Sequence, residues 1–150
     1  MKISNNILFT SWKSPSDPSI GSFTSGFQLR SRPRVFIWKD GSPHWRNGPW
    51  NNRAFTGVPE MYFVFQNGFG LEDDQDGAVL LSYSYVNGSL SYLVLTTQGD
   101  IELRYWGNDN EDWEVWWKAL KTECHFYGKC GAFGSCDSWN SPICSYLPGF

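Results

Sequence analysis

The chain has 150 residues, 41% of them apolar, with Gly 15 and Pro 8, enough for one packed domain with a small appendage and too apolar for wholesale disorder. Charged residues are only 18% and aromatics also 18%, Trp 9 among them, a composition that reads as an all-β binding module rather than a helical enzyme. The net charge of −3 argues against a nucleic-acid partner held through its phosphates.

That total is divided. Residues 1–71 hold eight Lys/Arg and three Asp/Glu, residues 72–150 four and twelve, so a polarised surface could steer a charged partner. No apolar run has the length of a membrane span. At the N-terminus only Ile7-Leu8-Phe9 are consecutive apolar residues, short of a signal-peptide core. The chain as written is not expected to direct its own export.

In chain order, Ser14-Pro15-Ser16-Asp17-Pro18-Ser19 and Gly21 have the density of Pro, Ser and Asp that makes extended or turn backbone, so residues 1–26 are expected to be a linker. Arg34-Val35-Phe36-Ile37-Trp38 is a strand closed by the turn dipeptide Asp40-Gly41, with a short strand near His44-Trp45 beyond it. Met61–Phe65 is a further short apolar run. From Ala78 to Gly107 a three-strand meander is expected: Val79–Val86, the hairpin dipeptide Asn87-Gly88, Ser89–Thr96, a turn at Gln98-Gly99-Asp100, and Ile101–Trp106. Residues 112–121 fit two patterns. Trp113, Trp116, Trp117 and Leu120 form a helical stripe, Trp113, Val115, Trp117 and Ala119 a strand alternation, and the β-propensity of Trp and Val favours the strand.

The tryptophans divide. Trp38, Trp45 and Trp50 lie among strand and turn residues as core packing. Trp106, Trp113, Trp116 and Trp117 cannot all face one core, because neighbours on a strand point to opposite faces. An exposed indole stacks on sugars or anchors a protein interface, which makes Trp106, Trp113 and Trp116 the candidate ligand contacts.

Cys124, Cys130, Cys136 and Cys144 follow a C-x5-C-x5-C-x7-C spacing with Gly128, Gly131 and Gly134 between. Zinc ligands usually come as C-x2-4-C pairs, so a disulfide-held module is favoured over a metal site, and three pairings are open. Asn87-Gly88-Ser89 is the only N-x-S/T sequon without proline at its centre or just after it, so Asn87 is a glycosylation candidate at a turn tip. Glu72-Asp73-Asp74-Gln75-Asp76-Gly77 imitates the start of a calcium loop, but the twelfth position is Tyr83 rather than Glu, and an acidic turn is the reading kept. Only His44 and His125 exist, and no nucleophile elbow, Walker loop or kinase motif is present. No cofactor is expected.

Several blocks carry a resemblance: Thr10-Ser11-Trp12-Lys13-Ser14, Asp17-Pro18-Ser19-Ile20-Gly21, Trp45-Arg46-Asn47-Gly48-Pro49-Trp50-Asn51, Phe55-Thr56-Gly57-Val58-Pro59-Glu60-Met61, Tyr127-Gly128-Lys129-Cys130-Gly131 and Ser141-Pro142-Ile143-Cys144-Ser145. In this order they resemble the S-locus glycoprotein domain of plant S-locus glycoproteins and G-type lectin S-receptor-like serine/threonine kinases. The resemblance implies an all-β, β-prism-like (bulb-lectin-related) domain over 27–121. A partial, disulfide-rich EGF-like module follows over 122–150, and residues 1–26 lead in from a preceding lectin domain. It implies the pairings Cys124–Cys136 and Cys130–Cys144.

Tyr146 stands where the family usually has its fifth EGF cysteine, and the chain looks like a truncated fragment. Without export its bridges would tend to stay reduced. The implied role is non-catalytic recognition of pollen, or of another secreted protein or glycan ligand, at the plant cell surface, with dimerisation or a receptor partner passing the signal on. The alternatives are a carbohydrate-binding lectin remnant and a non-functional truncated product. Gln75-Asp76-Gly77-Ala78-Val79 does not keep the mannose-pocket spacing of bulb lectins, so a mannose site is not expected there.

Overall fold

The structure, a computed structural model, describes residues 8–28, 32–52, 54–58, 69–73, 79–83, 90–107 and 111–149. The fold is all-β, and among these residues the only helix is one 3-10 turn, Glu123–His125. The strands are β1 (Phe9–Ser14), β2 (Asp17–Gln28), β3 (Arg34–Lys39), β4 (Ser42–Arg46), β5 (Phe69–Asp73), β6 (Val79–Tyr83), β7 (Ser91–Leu95), β8 (Ile101–Gly107), β9 (Asp112–Lys118), β10 (Gly134–Cys136) and β11 (Cys144–Tyr146). They pair antiparallel as β1-β2-β3-β4, β5-β6, β7-β8-β9 and β10-β11.

Two expectations are corrected. Residues 9–26 are not a linker but strands of the first sheet. Pro15 forms the tip of the β1–β2 turn with Ser16, and Pro18 is the second residue of β2, so the prolines sit in the turn and at a strand start, where they do not prevent pairing. Ser11 is buried, and its Oγ accepts the Phe23 N–H at 3.3 Å. A Cβ on Gly21 would lie 2.3 Å from the Trp12 carbonyl oxygen, so the Ser and the Gly of those two motifs are packing requirements.

The meander is also displaced by one strand. β6 pairs with β5, and β7 opens the β7-β8-β9 meander instead. A turn dipeptide is a local signal, whereas the choice of sheet partner is tertiary. Asn87-Gly88 and Met61–Phe65 lie outside the described residues.

The strand expected within 112–121 is found at Asp112–Lys118, that at 34–38 at Arg34–Lys39, and that near His44-Trp45 at Ser42–Arg46. Asp40 and Gly41, with φ of 47° and 80°, make the tight turn between those two strands. The core forms where the first and third sheets meet. Phe23, Ile37 and Trp45 come from one side, Leu95, Ile101 and Ala119 from the other, and Val35, Leu93, Trp117 and Leu120 pack around them. Ile37 is fully buried. Gly99, at φ 81°, brings the β7–β8 turn so close that an added Cβ would sit 2.3 Å from the Phe23 ring.

Beyond β4 the segment 47–58 closes on itself. Asn47 is buried; its Oδ1 accepts the Val35 N–H at 2.9 Å while its own N–H donates to the Val35 carbonyl at 3.2 Å. Gly48 N–H donates to Thr56 O at 2.9 Å, and a Cβ on Gly48 would lie 2.5 Å from that oxygen. Trp50 meets Phe55 edge-on at 5.0 Å.

Two substitutions separate these contributions. Ile37→Ala is expected to cost ~2–5 kcal/mol through the cavity it leaves. Asn47→Ala is expected to cost about 1–3 kcal/mol by stranding the Val35 amide. Denaturant unfolding measures both.

Candidate functional site

Among the described residues two surfaces gather exposed aromatic and polar side chains. The first is the C-terminal disulfide module. Cys124 bonds to Cys136 and Cys130 to Cys144, and no described cysteine is free. These are the pairings that the resemblance implies. Cys136 and Cys144 are register partners in the β10–β11 hairpin, so the two bridges stack together. The sulfurs of Cys130, Cys136 and Cys144 lie within 4.8 Å of one another for that reason, and as disulfide sulfurs they are not the thiolates a metal needs. Each bridge closes a short loop worth about 3 kcal/mol in the chain-entropy treatment. Gly128 and Gly131, with φ of 67° and 70°, supply the left-handed turns between the cysteines.

The module is docked rather than dangling. Tyr127 N–H donates to the His44 carbonyl at 2.8 Å. The His44 ring packs between Phe23 at 5.0 Å and Phe126 at 5.2 Å, and the Arg46 guanidinium lies 5.5 Å from the Tyr127 ring centroid. His44 Nε2 is buried with no hydrogen-bond partner among the described residues. Burial foremost, and Lys39 after it, hold the His44 pKa below its ordinary value against an opposing pull from Asp100.

The second surface is the outward face of β7-β8-β9. Register pairs Trp106 with Trp113 and Arg104 with both Tyr92 and Val115, which sets these side chains on one face. Trp113 meets Tyr92 edge-on at 4.5 Å and Trp106 at 5.4 Å. Arg104 is held by Glu102, with Nη2 to Oε2 at 2.6 Å and Nε to Oε2 at 2.8 Å, and its Nη1 donates to the Tyr92 hydroxyl at 3.4 Å. The Glu102 hydrogen bond first, opposed by partial burial, raises the Arg104 pKa. The Tyr105 hydroxyl donates to Glu114. Trp113 and Trp116 remain 37% and 48% exposed, large areas for indoles on a sheet.

The sequence-predicted contacts divide accordingly. Trp106 and Trp113 come together in one aromatic row. Trp116 stands apart at the irregularity where Leu103 pairs with Trp117 and Arg104 with Val115, so it is the extra residue of a bulge. Tyr92 and Arg104 complete the face, and sequence reasoning missed them; the signal was available in the alternation of β7 and β8. Of the three tryptophans expected inside, Trp45 is buried, while Trp38 and Trp50 are half-buried against Phe36 and Phe55. Asn87, Gln75 and Asp76 lie outside the described residues. Among the described residues no helix is long and apolar enough to cross a membrane.

The described residues thus form an all-β domain with a docked, twice-bridged cysteine module and an exposed aromatic face. Comparison with known proteins supplies its family. The model of the S-locus glycoprotein domain matches residues 45–150. A G-type lectin S-receptor-like serine/threonine-protein kinase of Arabidopsis thaliana is 40% identical over 147 residues, covering 97% of this chain. A second kinase of that type from the same plant is 39% identical over 149 residues, and the Arabidopsis receptor-like serine/threonine-protein kinase SD1-8 is 35% identical over 150. The chain belongs to the S-locus glycoprotein domain family. It spans 17–18% of the length of these relatives.

The docking contact predicts a pH dependence. A histidine whose folded pKa is depressed binds fewer protons folded than unfolded, so its stability contribution is present at neutral pH and is lost as pH falls below the ordinary 6.5. Thermal unfolding at pH 7.5 and 5.5 should show wild type losing more stability on acidification than His44→Phe.

Proposed function

We propose that the chain is a non-catalytic recognition module of the receptor-like kinase type, displayed at the plant cell surface. It binds a secreted protein ligand or receptor partner through the outward face of β7-β8-β9. The carrying observation is the aromatic row of Tyr92, Trp106 and Trp113, exposed at Tyr92 and Trp113 and half-buried at Trp106, held by edge-on ring contacts and flanked by the ion-paired Arg104. Rigid amphipathic aromatics beside an arginine are the side chains on which protein interfaces concentrate binding energy. Within this reading pollen recognition is the role and the ligand is a pollen surface protein. Trp116 contributes at the rim, and Asn87 carries a glycan. Residues 122–150 act as an EGF-like spacer whose docking on β4 fixes the face relative to whatever follows.

A carbohydrate ligand is the second reading, favoured by the same exposed indoles, since indole faces also stack on sugar rings.

The test measures binding of pollen-coat protein fractions to the immobilised, disulfide-bonded chain, with a glycan array in parallel. A saturable protein ligand weakened at least about tenfold by Trp113→Ser is the expected result. Binding only to glycans moves the assignment to the second reading. Protein binding that Trp113→Ser leaves unchanged, or none at all, contradicts the proposed face.

A further inference from the structure

Four charged side chains gather where β8 runs beside β9. Glu102 stands two residues from Arg104, on the same outward face, and opposite Lys118 in the β8–β9 register. One oxygen of Glu102, Oε2, accepts from both Nη2 and Nε of Arg104, at 2.6 and 2.8 Å. Just before β8, Asp100 Oδ1 accepts the Ala119 and Leu120 N–H groups, each at 3.0 Å. Burial foremost pushes the Asp100 carboxyl above its ordinary range; Glu102 adds to the rise and Lys118 opposes it. Two anions and two cations thus offset one another in one corner of the sheet.

Glu102 is the member that meets both cations of the outward face. Its side chain is 17% exposed and that of Arg104 33%, so the pair is set low between Val94 and Tyr92 of β7 and Val115 of β9. Charges at this depth are screened less than in open water. The guanidinium donates once more, from Nη1 to the Tyr92 hydroxyl at 3.4 Å, and Tyr92 leads through its ring contact to Trp113 and on to Trp106. An open groove of about 440 Å³, lined by Glu102, Val115, Trp116 and Lys118 among others, brings a ligand within reach of this pair. An arginine beside exposed rings is a ready receptor for a carboxylate or phosphate. Here the chain supplies the carboxylate itself.

We propose that Glu102 is the specificity-determining residue of the β7-β8-β9 face: by occupying Arg104 and offsetting Lys118 it excludes acidic ligands and restricts the face to a protein partner whose contact surface is apolar and uncharged. This rests on the reading of that face as the binding surface. Repelling the wrong partner with a built-in like charge is one of the two physical routes to specificity. An incoming carboxylate is repelled by Glu102 and has to displace it from Arg104. A neutral partner meets no such barrier, and it covers charges that are already matched instead of stranding one.

Calorimetric titration of the disulfide-bonded chain with poly-glutamate tests this. Glu102→Gln, which keeps the shape and removes the charge, should bind poly-glutamate at least about tenfold more tightly than wild type at low salt. The gain should fade at physiological salt. Adding Arg104→Gln should return affinity to within about twofold of wild type, and the charge-keeping Glu102→Asp should show no gain. Damage to the fold could not produce a gain that a second substitution reverses. In parallel, Trp113-dependent binding of pollen-coat protein to wild type should change less than about twofold between low and physiological salt. No gain in Glu102→Gln, or a gain that Arg104→Gln leaves whole, overturns the proposal. Trp113-dependent binding that is strongly salt-sensitive also overturns it, while leaving the face as the binding surface. Absence of Trp113-dependent binding contradicts the face alone, and the poly-glutamate result then still decides the role of Glu102.

Discussion

Everything in this molecule hangs on strand β4, five residues that serve two bodies at once. Trp45 is buried where the first and third sheets meet, so removing it would open the core. On either side of it, His44 and Arg46 hold the disulfide module through an edge-on ring contact, a cation over a ring and a backbone hydrogen bond. A cysteine-rich segment this short cannot bury enough apolar surface to fold by itself. Its two bridges restrict the unfolded chain, and the β4 contacts give it an orientation. The Trp45-Arg46-Asn47-Gly48 block is thus a joint: an indole for the core, a cation for the module, a buried amide to finish the sheet, and a glycine where a neighbouring carbonyl comes too close for any side chain.

That joint also explains where recognition chemistry collects. Because the third sheet packs its Leu95–Ile101 side against the first sheet, its other side is left outward, and the aromatic residues there cannot join the core. Tyr92, Trp106 and Trp113 instead order one another through edge-on contacts, with Arg104 fixed by Glu102 beside them. Such a face is organised before any partner arrives, which lowers the entropic cost of binding.

Much of the fold was legible in the sequence, for identifiable reasons. Asp40-Gly41 announced its turn because only residues tolerant of positive φ fit there. The strands at 34–39, 101–107 and 112–118 followed from β-branched and aromatic runs between chain breaks. The disulfide pairing came from resemblance, since four cysteines alone leave three choices. What failed to show were relations between distant segments. Proline density at 14–19 concealed strands that the Ser11 and Gly21 contacts secure, and Asn87-Gly88 could not disclose that β6 belongs with β5. At the candidate site the tryptophans were visible one by one. The row they form with Tyr92 depends on the β7–β8 and β8–β9 registers, and Trp116 leaves that row because of a bulge no residue pattern marks.

If β4 couples domain and module into one cooperative unit, the amides on both sides of it must open together. Native-state hydrogen exchange reads this directly at Ile37, in the sheet core, and at Tyr127, whose N–H is bound to the His44 carbonyl. The account predicts that the Tyr127 amide exchanges only through global unfolding, with the same opening free energy and denaturant dependence as Ile37. A Tyr127 amide that exchanges through a low-energy local opening while Ile37 stays protected would contradict it, and would make the disulfide module an independent tether.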